Sequence, residues 1–283
     1  MGRNYRDELV GVFGMPVDGN PTVVIQEAAF KELGLPYRYL TIEVKPDDLG
    51  KAIEGVRAMN MKGINITMPY KTDVLKYLDH VAEDAMLMGA VNTIYVKDGM
   101  LFGENTDGKG FKTTLLNDGV DLRNKRIALL GAGGAARAIS VELANAGASF
   151  IQVVNVSRGR GEELGALLNS KTPIQAEYHE WDETYRVPSD IDILVNGTSQ
   201  GMFGESPNID YDTILAKMIV CDVIINPPHT RFLREAEARG ARTYDGLTML
   251  VNQGALGFKL WTGLDAPVKV MKDAIERELC VTD

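Results

Sequence analysis

Apolar positions in the first hundred residues switch repeatedly between strand-like and helical spacing. Residues 9–14, LVGVFG, form a short apolar run of strand character. Val24, Ala28 and Leu33 share one helical face, and Gly34 followed by Pro36 ends that helix. The run 37–44, YRYLTIEV, alternates as a half-buried strand does. Pro46 with Asp47 and Asp48 is helix-start chemistry, because proline loses no needed N–H there and acids complement the helix dipole. Leu49, Ile53 and Val56 then recur at helical spacing. GINIT (63–67) reads as another strand, with helical runs over 72–78 and 82–88. Residues 91–103 read as a hairpin turning at Asp98-Gly99. Strands alternating with helices predict a mostly parallel sheet, here with an antiparallel hairpin at its edge.

The alternation restarts after Asp107. RIALL (126–130) is a buried strand that runs directly into GAGGAARAISVELANAG, and FIQVVNV, DILVNG and MIVCDVII follow as further strands. This second alternation spans about 130 residues, the scale of one nucleotide-binding domain. From Gly246 the pattern gives two helices, 247–262 and 267–279, broken at DAP. Two helices cannot form a core alone, so they are expected to pack back on the first domain. The predicted fold is two-domain α/β. Residues 1–107 plus 246–283 form one domain with a mostly parallel sheet, and 108–245 form a second on the scale of a nucleotide-binding domain.

Composition narrows the classes. At 283 residues the chain is long enough for two domains, and its charged fraction of 24% is ordinary for a globular protein. A net charge of −9 argues against a nucleic-acid partner, which favours a basic face. The two cysteines, Cys221 and Cys280, form no CxxC pair, so neither a zinc site nor a disulfide framework is expected. His80, His179 and His229 lack metal-ligand spacing. The first residues, MGRNYRDELV, lack the apolar stretch of a signal peptide, and no run approaches membrane-spanning length. A cytoplasmic protein with a small-molecule substrate and no membrane partner is the expectation, as a monomer or homodimer.

Gly131, Ala132, Gly133, Gly134, Ala135 and Ala136 follow a strand and open a helix with GxGxxA spacing. The first glycine permits the tight turn, the second lets a pyrophosphate approach the backbone, and the small sixth residue keeps helix and strand close. Free N–H groups and the dipole at the helix start then hold phosphates. An NAD site usually carries an acid at the end of the next strand. Here Asn155, Val156 and Ser157 stand there, and Arg158 and Arg160 follow before the first acid, Glu162. An arginine-bearing loop suits a 2′-phosphate, so NADP is favoured over NAD.

A nicotinamide cofactor implies hydride transfer, coupled to proton movement at the carbinol oxygen. Lys71, after GINIT, and Asp107, in GENTDGKG, are the two candidates for that proton chemistry, and Asn92 could orient a hydroxyl. Taken singly, Lys71 also fits a solvated loop lysine, and Asp107 fits a helix cap.

In combination, NITMPYK, GAVNT, ENTDGKG, GAGGAA, NGTSQGM and DGLTMLVNQGA resemble the shikimate dehydrogenase family over nearly the whole chain. The resemblance implies an N-terminal substrate domain completed by C-terminal helices, and a Rossmann-like cofactor domain. It also implies that Lys71 and Asp107 act as a catalytic dyad, with Asn65, Thr67, Asn92 and Gln253 binding hydroxyls. Thr198 and Gly246 fall at cofactor positions. Which dyad member carries the proton stays open.

Two departures concern one substrate group. The family's paired serines, which hold the substrate carboxylate, are absent from GMPVDGNPT, where Asp18, Gly19 and Asn20 stand. A family tyrosine that anchors the same carboxylate aligns with Ile225. Asn20 would suit a hydroxyl or a reseated carboxylate, and an inward Asp18 would suit an amine. The sequence therefore predicts an NAD(P)-dependent oxidoreductase acting on shikimate or a related ring polyol, quinate-like or amino-substituted, with altered carboxylate recognition. A non-catalytic cofactor sensor and a methylene-tetrahydrofolate dehydrogenase are the alternatives. The latter lacks the NTDG acid.

Overall fold

The computed structural model describes residues 5–279; Cys280 and the first four residues lie outside that range. The chain divides into two compact units, Met1–Thr106 with Val251–Asp283, and Asp107–Leu250.

The first unit is built from β1 (Glu8–Gly14), α1 (Thr22–Glu32), β2 (Tyr37–Glu43), α2 (Leu49–Ala58), β3 (Gly63–Ile66), β4 (His80–Val81), α3 (Glu83–Met88), β5 (Thr93–Lys97) and β6 (Met100–Glu104). Its six-stranded sheet has the order β2-β1-β3-β5-β6-β4. β2, β1 and β3 run parallel, and the β5–β6 hairpin pairs antiparallel with β3 and internally. Asp98 and Gly99 both take positive φ, +53° and +76°, as a two-residue hairpin turn of matching twist requires. The helical run read over 72–78 is a 3-10 segment, Asp73–Tyr77. Phe13, Ile53, Val56, Ile64, Ile66, Tyr70 and Ile94 form the core beneath the sheet. Tyr70 anchors there by donating its hydroxyl to Val44 O. At the open edge, the Tyr39 N–H is received by Glu27 Oε1 at 2.6 Å.

The remaining elements are α4 (Thr106–Asn117), β7 (Arg126–Leu130), α5 (Gly134–Asn145), β8 (Phe150–Asn155), α6 (Arg158–Lys171), β9 (Gln175–Glu180), β10 (Ile193–Asn196), β11 (Ile219–Asp222), α7 (Arg231–Ala238), β12 (Arg242–Tyr244), α8 (Gly246–Thr262) and α9 (Val268–Glu278). The second sheet is wholly parallel with the order β12-β11-β10-β7-β8-β9. Counted from β7, this is the doubly wound dinucleotide order, which reverses between β7 and β10. Its core includes Ala128, Leu130, Val154, Leu194, Val220 and Phe232. Gly108 on α4 lets that helix meet the Ala138 backbone of α5, since a Cβ there would lie 2.3 Å from Ala138 O.

Residues of α8 from Val251 onward, with α9, belong to the first unit. Gln26 on α1 donates to Gly254 O (2.8 Å), Phe30 stacks on Phe258, and Trp261 Nε1 donates to Ile94 O (3.0 Å).

Candidate active site

In the first unit the predicted polar residues collect at one end of the sheet. Asn65, the third residue of β3, is buried and hydrogen-bonded throughout its amide. Oδ1 accepts from Tyr39 Oη at 2.8 Å, and Nδ2 donates to Thr93 Oγ1 at 2.9 Å and Asn92 O at 3.1 Å. Thr93 Oγ1 donates in turn to Asn92 Oδ1 (3.1 Å). Asn92 Oδ1 also accepts the Thr106 N–H (2.7 Å), and its Nδ2 donates to Thr106 Oγ1 (3.0 Å). Thr106 Oγ1 reaches Gln253 Oε1 on α8 at 3.3 Å. One buried chain thus joins Tyr39, Asn65, Thr93, Asn92, Thr106 and Gln253. Each amide in it is oriented by a neighbour, which fixes what it presents. Burial raises the Tyr39 phenol well above its ordinary pKa, and a hydrogen bond with Thr22 acts in the opposite sense.

Thr67 follows β3 directly and is half-buried, its N–H donating to Phe13 O (2.9 Å). Lys71 lies one short turn further on. Its carbonyl accepts the Val91 N–H at 2.8 Å, which sets the half-buried lysine beside the strand end that carries Asn92. Asp107, half-buried, stands in the first turn of α4 immediately after Thr106, where a carboxylate complements the helix dipole. Asn20 does not join the chain. Its Oδ1 accepts the Thr22 N–H (3.0 Å) and thereby opens α1, while Asp18 and Gly19 are exposed.

Sequence reasoning did not single out Tyr39, Thr93 or Thr106. The two threonines sit inside GAVNT and ENTDGKG, so those motifs carried a signal. Tyr39 had only the alternation of β2.

The second unit presents backbone rather than side chains. Gly131 has φ +102°, in the region that favours glycine. Cβ atoms at Gly133 and Gly134 would meet nothing within 4 Å, so the turn borders open space. Gly133 caps α5 with extended backbone and no side-chain hydrogen bond, leaving the first-turn N–H groups to a ligand. Ala135 follows in that first turn, and Ala132 is buried behind it. At the end of β8, Asn155 Nδ2 donates to Ser157 O (2.8 Å), and Ser157 occupies the N-cap of α6. Arg158 and Arg160 are exposed in its first turn, and Arg158 pairs with Glu180 at 2.9 Å. Thr198 follows β10, and its methyl would lie 2.9 Å from a Cβ on Gly131. Gly246 packs backbone to backbone, since a Cβ there would lie 2.4 Å from Ile224 O. These residues fit a dinucleotide. The glycine turn leaves the room, the helix start supplies N–H donors, and no carboxylate at the end of β8 opposes a phosphate.

Among the described residues no helix is long and apolar enough to cross a membrane, and no group of three or more His, Cys, Asp or Glu could hold a metal.

A Rossmann-order sheet with a bare glycine turn, alongside a second α/β unit that collects buried amides and hydroxyls, defines the class of two-domain nicotinamide-dependent oxidoreductases. Comparison with known proteins narrows the class. Residues 12–94 match the shikimate dehydrogenase substrate binding domain, and residues 246–276 match the shikimate 5′-dehydrogenase C-terminal domain. The shikimate dehydrogenase (NADP(+)) of Methanopyrus kandleri is 42% identical over 277 residues, 96% of each chain. The ligand-free 5-ketofructose reductase of Gluconobacter sp. strain CHM43 superimposes with a TM-score of 0.94 at 42% identity, covering 97% of this chain and 100% of that one. A shikimate dehydrogenase in complex with NADP+ gives 0.89 at 35% identity, covering 98% and 97%. The chain belongs to the shikimate dehydrogenase family.

Proposed function

We propose that the chain is an NADP-dependent oxidoreductase that interconverts a ketone and an alcohol on a polyhydroxylated substrate without a carboxylate. The observation that carries the reading is the segment Asp18-Gly19-Asn20. Where the family holds a carboxylate with hydroxyl donors, this segment has no hydroxyl: it offers an exposed carboxylate, Asp18, an exposed Gly19, and an asparagine held at the start of α1 by its oxygen. Each charge-assisted hydrogen bond absent there would forgo about 1.5–3 kcal/mol of carboxylate binding. The similarity to a protein named for reducing a sugar diketone supports a carboxylate-free substrate. The names of the curated relatives support NADP, as do Arg158 and Arg160 in a turn without an acid.

A nicotinamide held there would supply or accept the hydride. This chain's residues do the rest. Asn92 and Gln253, oriented by Thr106, and Asn65 and Thr67 at the end of β3 engage the substrate hydroxyls. Lys71 hydrogen-bonds the reacting oxygen and, in reduction, supplies the proton that neutralises the nascent alkoxide. Asp107 is its partner carboxylate. Gly131, Gly133 and the first turn of α5 would hold the pyrophosphate, and Ser157 and Arg160 would receive the 2′-phosphate, with Thr198 bordering the glycine turn.

The test is a substrate and cofactor panel followed by reduced-nicotinamide absorbance. 5-Ketofructose and 3-dehydroshikimate are reduced with NADPH and with NADH, and shikimate and quinate are oxidised in reverse. The reading expects kcat/KM for 5-ketofructose to exceed that for 3-dehydroshikimate at least tenfold, with NADPH preferred. A preference of that size for 3-dehydroshikimate overturns the carboxylate-free assignment.

A further inference from the structure

Two loops flank the point where the second sheet reverses its strand order, the glycine turn after β7 and residues 197–200 after β10. Ligands of such sheets bind at that reversal. The glycine turn is held by backbone, with Gly131 N donating to Val154 O at 2.7 Å. The second loop is held mainly by side chains. Asn196 Oδ1 accepts the Thr198 N–H (3.1 Å) and hydroxyl (2.7 Å), and Thr198 Oγ1 accepts the Gln200 N–H (3.1 Å). Asn196 Nδ2 donates to Gln200 O (2.9 Å) and to Asp222 Oδ1 (3.0 Å). Asp222, the last residue of β11, also accepts from Ile224 N (3.1 Å) and Thr230 Oγ1 (2.7 Å). Asn196 and Asp222 are 0% and 1% exposed.

Three groups of fixed polarity orient Asn196: Gln200 O, which accepts, the Thr198 N–H, which donates, and the one side chain among them, Asp222. An ionised carboxylate only accepts. It therefore fixes the NH2 end of Asn196 toward itself and the carbonyl end toward Thr198. That choice turns the Thr198 hydroxyl toward Asn196 and its methyl toward Gly131. A neutral amide at position 222 would leave that orientation to Gln200 O and the Thr198 N–H alone.

We propose that Asp222 is a positioning residue for cofactor binding, acting through Asn196 to set Thr198 against the glycine turn. The proposal rests on the dinucleotide reading above. Asp222 touches no reacting atom. It determines the wall of the crevice that the cofactor must meet.

The experiment measures NADPH dissociation constants by fluorescence, together with KM and kcat, for wild type, Asp222→Asn, Thr230→Val, Thr198→Val and the double variant Asp222→Asn/Thr198→Val. Thr230→Val removes a support of the carboxylate on the side away from the glycine turn, and it stands in should Asp222→Asn not fold. Asp222→Asn is expected to raise the NADPH dissociation constant about tenfold, the loss of one well-made hydrogen bond. kcat at saturating NADPH should stay within about twofold, and Thr230→Val should shift affinity in the same direction by less. The double variant should bind little worse than the poorer single variant, since both act on one chain. Lower thermal stability with an unchanged dissociation constant, or additive effects in the double variant, overturns the proposal. Wild type that binds neither NADPH nor NADH would instead sink the dinucleotide reading itself.

Discussion

The candidate sites of the two units are built on opposite plans. In the first unit, side chains do the presenting, and each is locked by another: Tyr39 holds Asn65, Asn65 holds Thr93, and Thr106 ties Asn92 to Gln253. In the second, the presenting groups are backbone N–H groups at a glycine turn, and side chains such as Asn196 stand behind them. A polyol differs from its competitors by where hydroxyls point, which only oriented side chains can read. A pyrophosphate needs close approach and uncommitted donors, which side chains would obstruct. The first site should therefore fail when a group is removed, and the second when one is added.

Removing the proposed proton donor gives the largest expected effect. Lys71→Ala should lower kcat by about a thousandfold while leaving NADPH binding near wild type, as general-acid losses usually do. Turnover near the wild-type rate would end the role given to Lys71. Next, Gly133→Val adds a side chain where the protein has nothing within 4 Å. The melting temperature should be unchanged within error while KM for NADPH rises at least about tenfold, a combination that an ordinary packing glycine would not give.

A sharper contrast uses two buried tyrosines in the first unit. Tyr39→Phe leaves Asn65 Oδ1 without its donor, whereas Tyr70→Phe breaks only a hydrogen bond to Val44 O. Both should cost about 1–2 kcal/mol in chemical denaturation. Only Tyr39→Phe should also raise KM for the polyol several-fold. Equal kinetic effects from the two would mean that the amide chain does not orient the substrate.

The smallest effect concerns pH. Burial raises the Asp222 carboxyl to about 6, above its value of roughly 3.9 in an unfolded chain, with hydrogen bonds from Thr230, Ile224 and Asn196 acting in the opposite sense. The folded state thus binds this proton more tightly. The contribution is most favourable below the unfolded value and is lost as pH rises through about 6, at a cost of roughly 1 kcal/mol between pH 5 and 7. Asp222→Asn cannot titrate, so urea midpoints of wild type should fall relative to the variant over that interval. A constant difference would contradict the shift.

Periodicity revealed most of the strands, the largely exposed β2 among them, and missed three. β9, QAEYHE, is an edge strand with mostly exposed positions, and β12 and β4 are three and two residues long, so no apolar alternation marks them. The helix read at 72–78 tightened to a 3-10 turn between β3 and β4. Asn65, Asn92 and Gln253 were legible because they stand in motifs. Tyr39 and Asp222 were not, because what each does depends on a partner 26 residues away in the chain, and local spacing carries no trace of that.

The carboxylate of Glu27 has a consequence beyond its own helix. β2 is the last strand on its side, and a terminal strand ordinarily offers free amides to any extended peptide that drifts past. Here the amide at Tyr39 is already taken by an anion on α1, with Arg38 nearby pairing with both Glu27 and Asp7. A foreign segment could dock only by evicting a charge, so this small ionic clasp guards the flank of the sheet against runaway self-association.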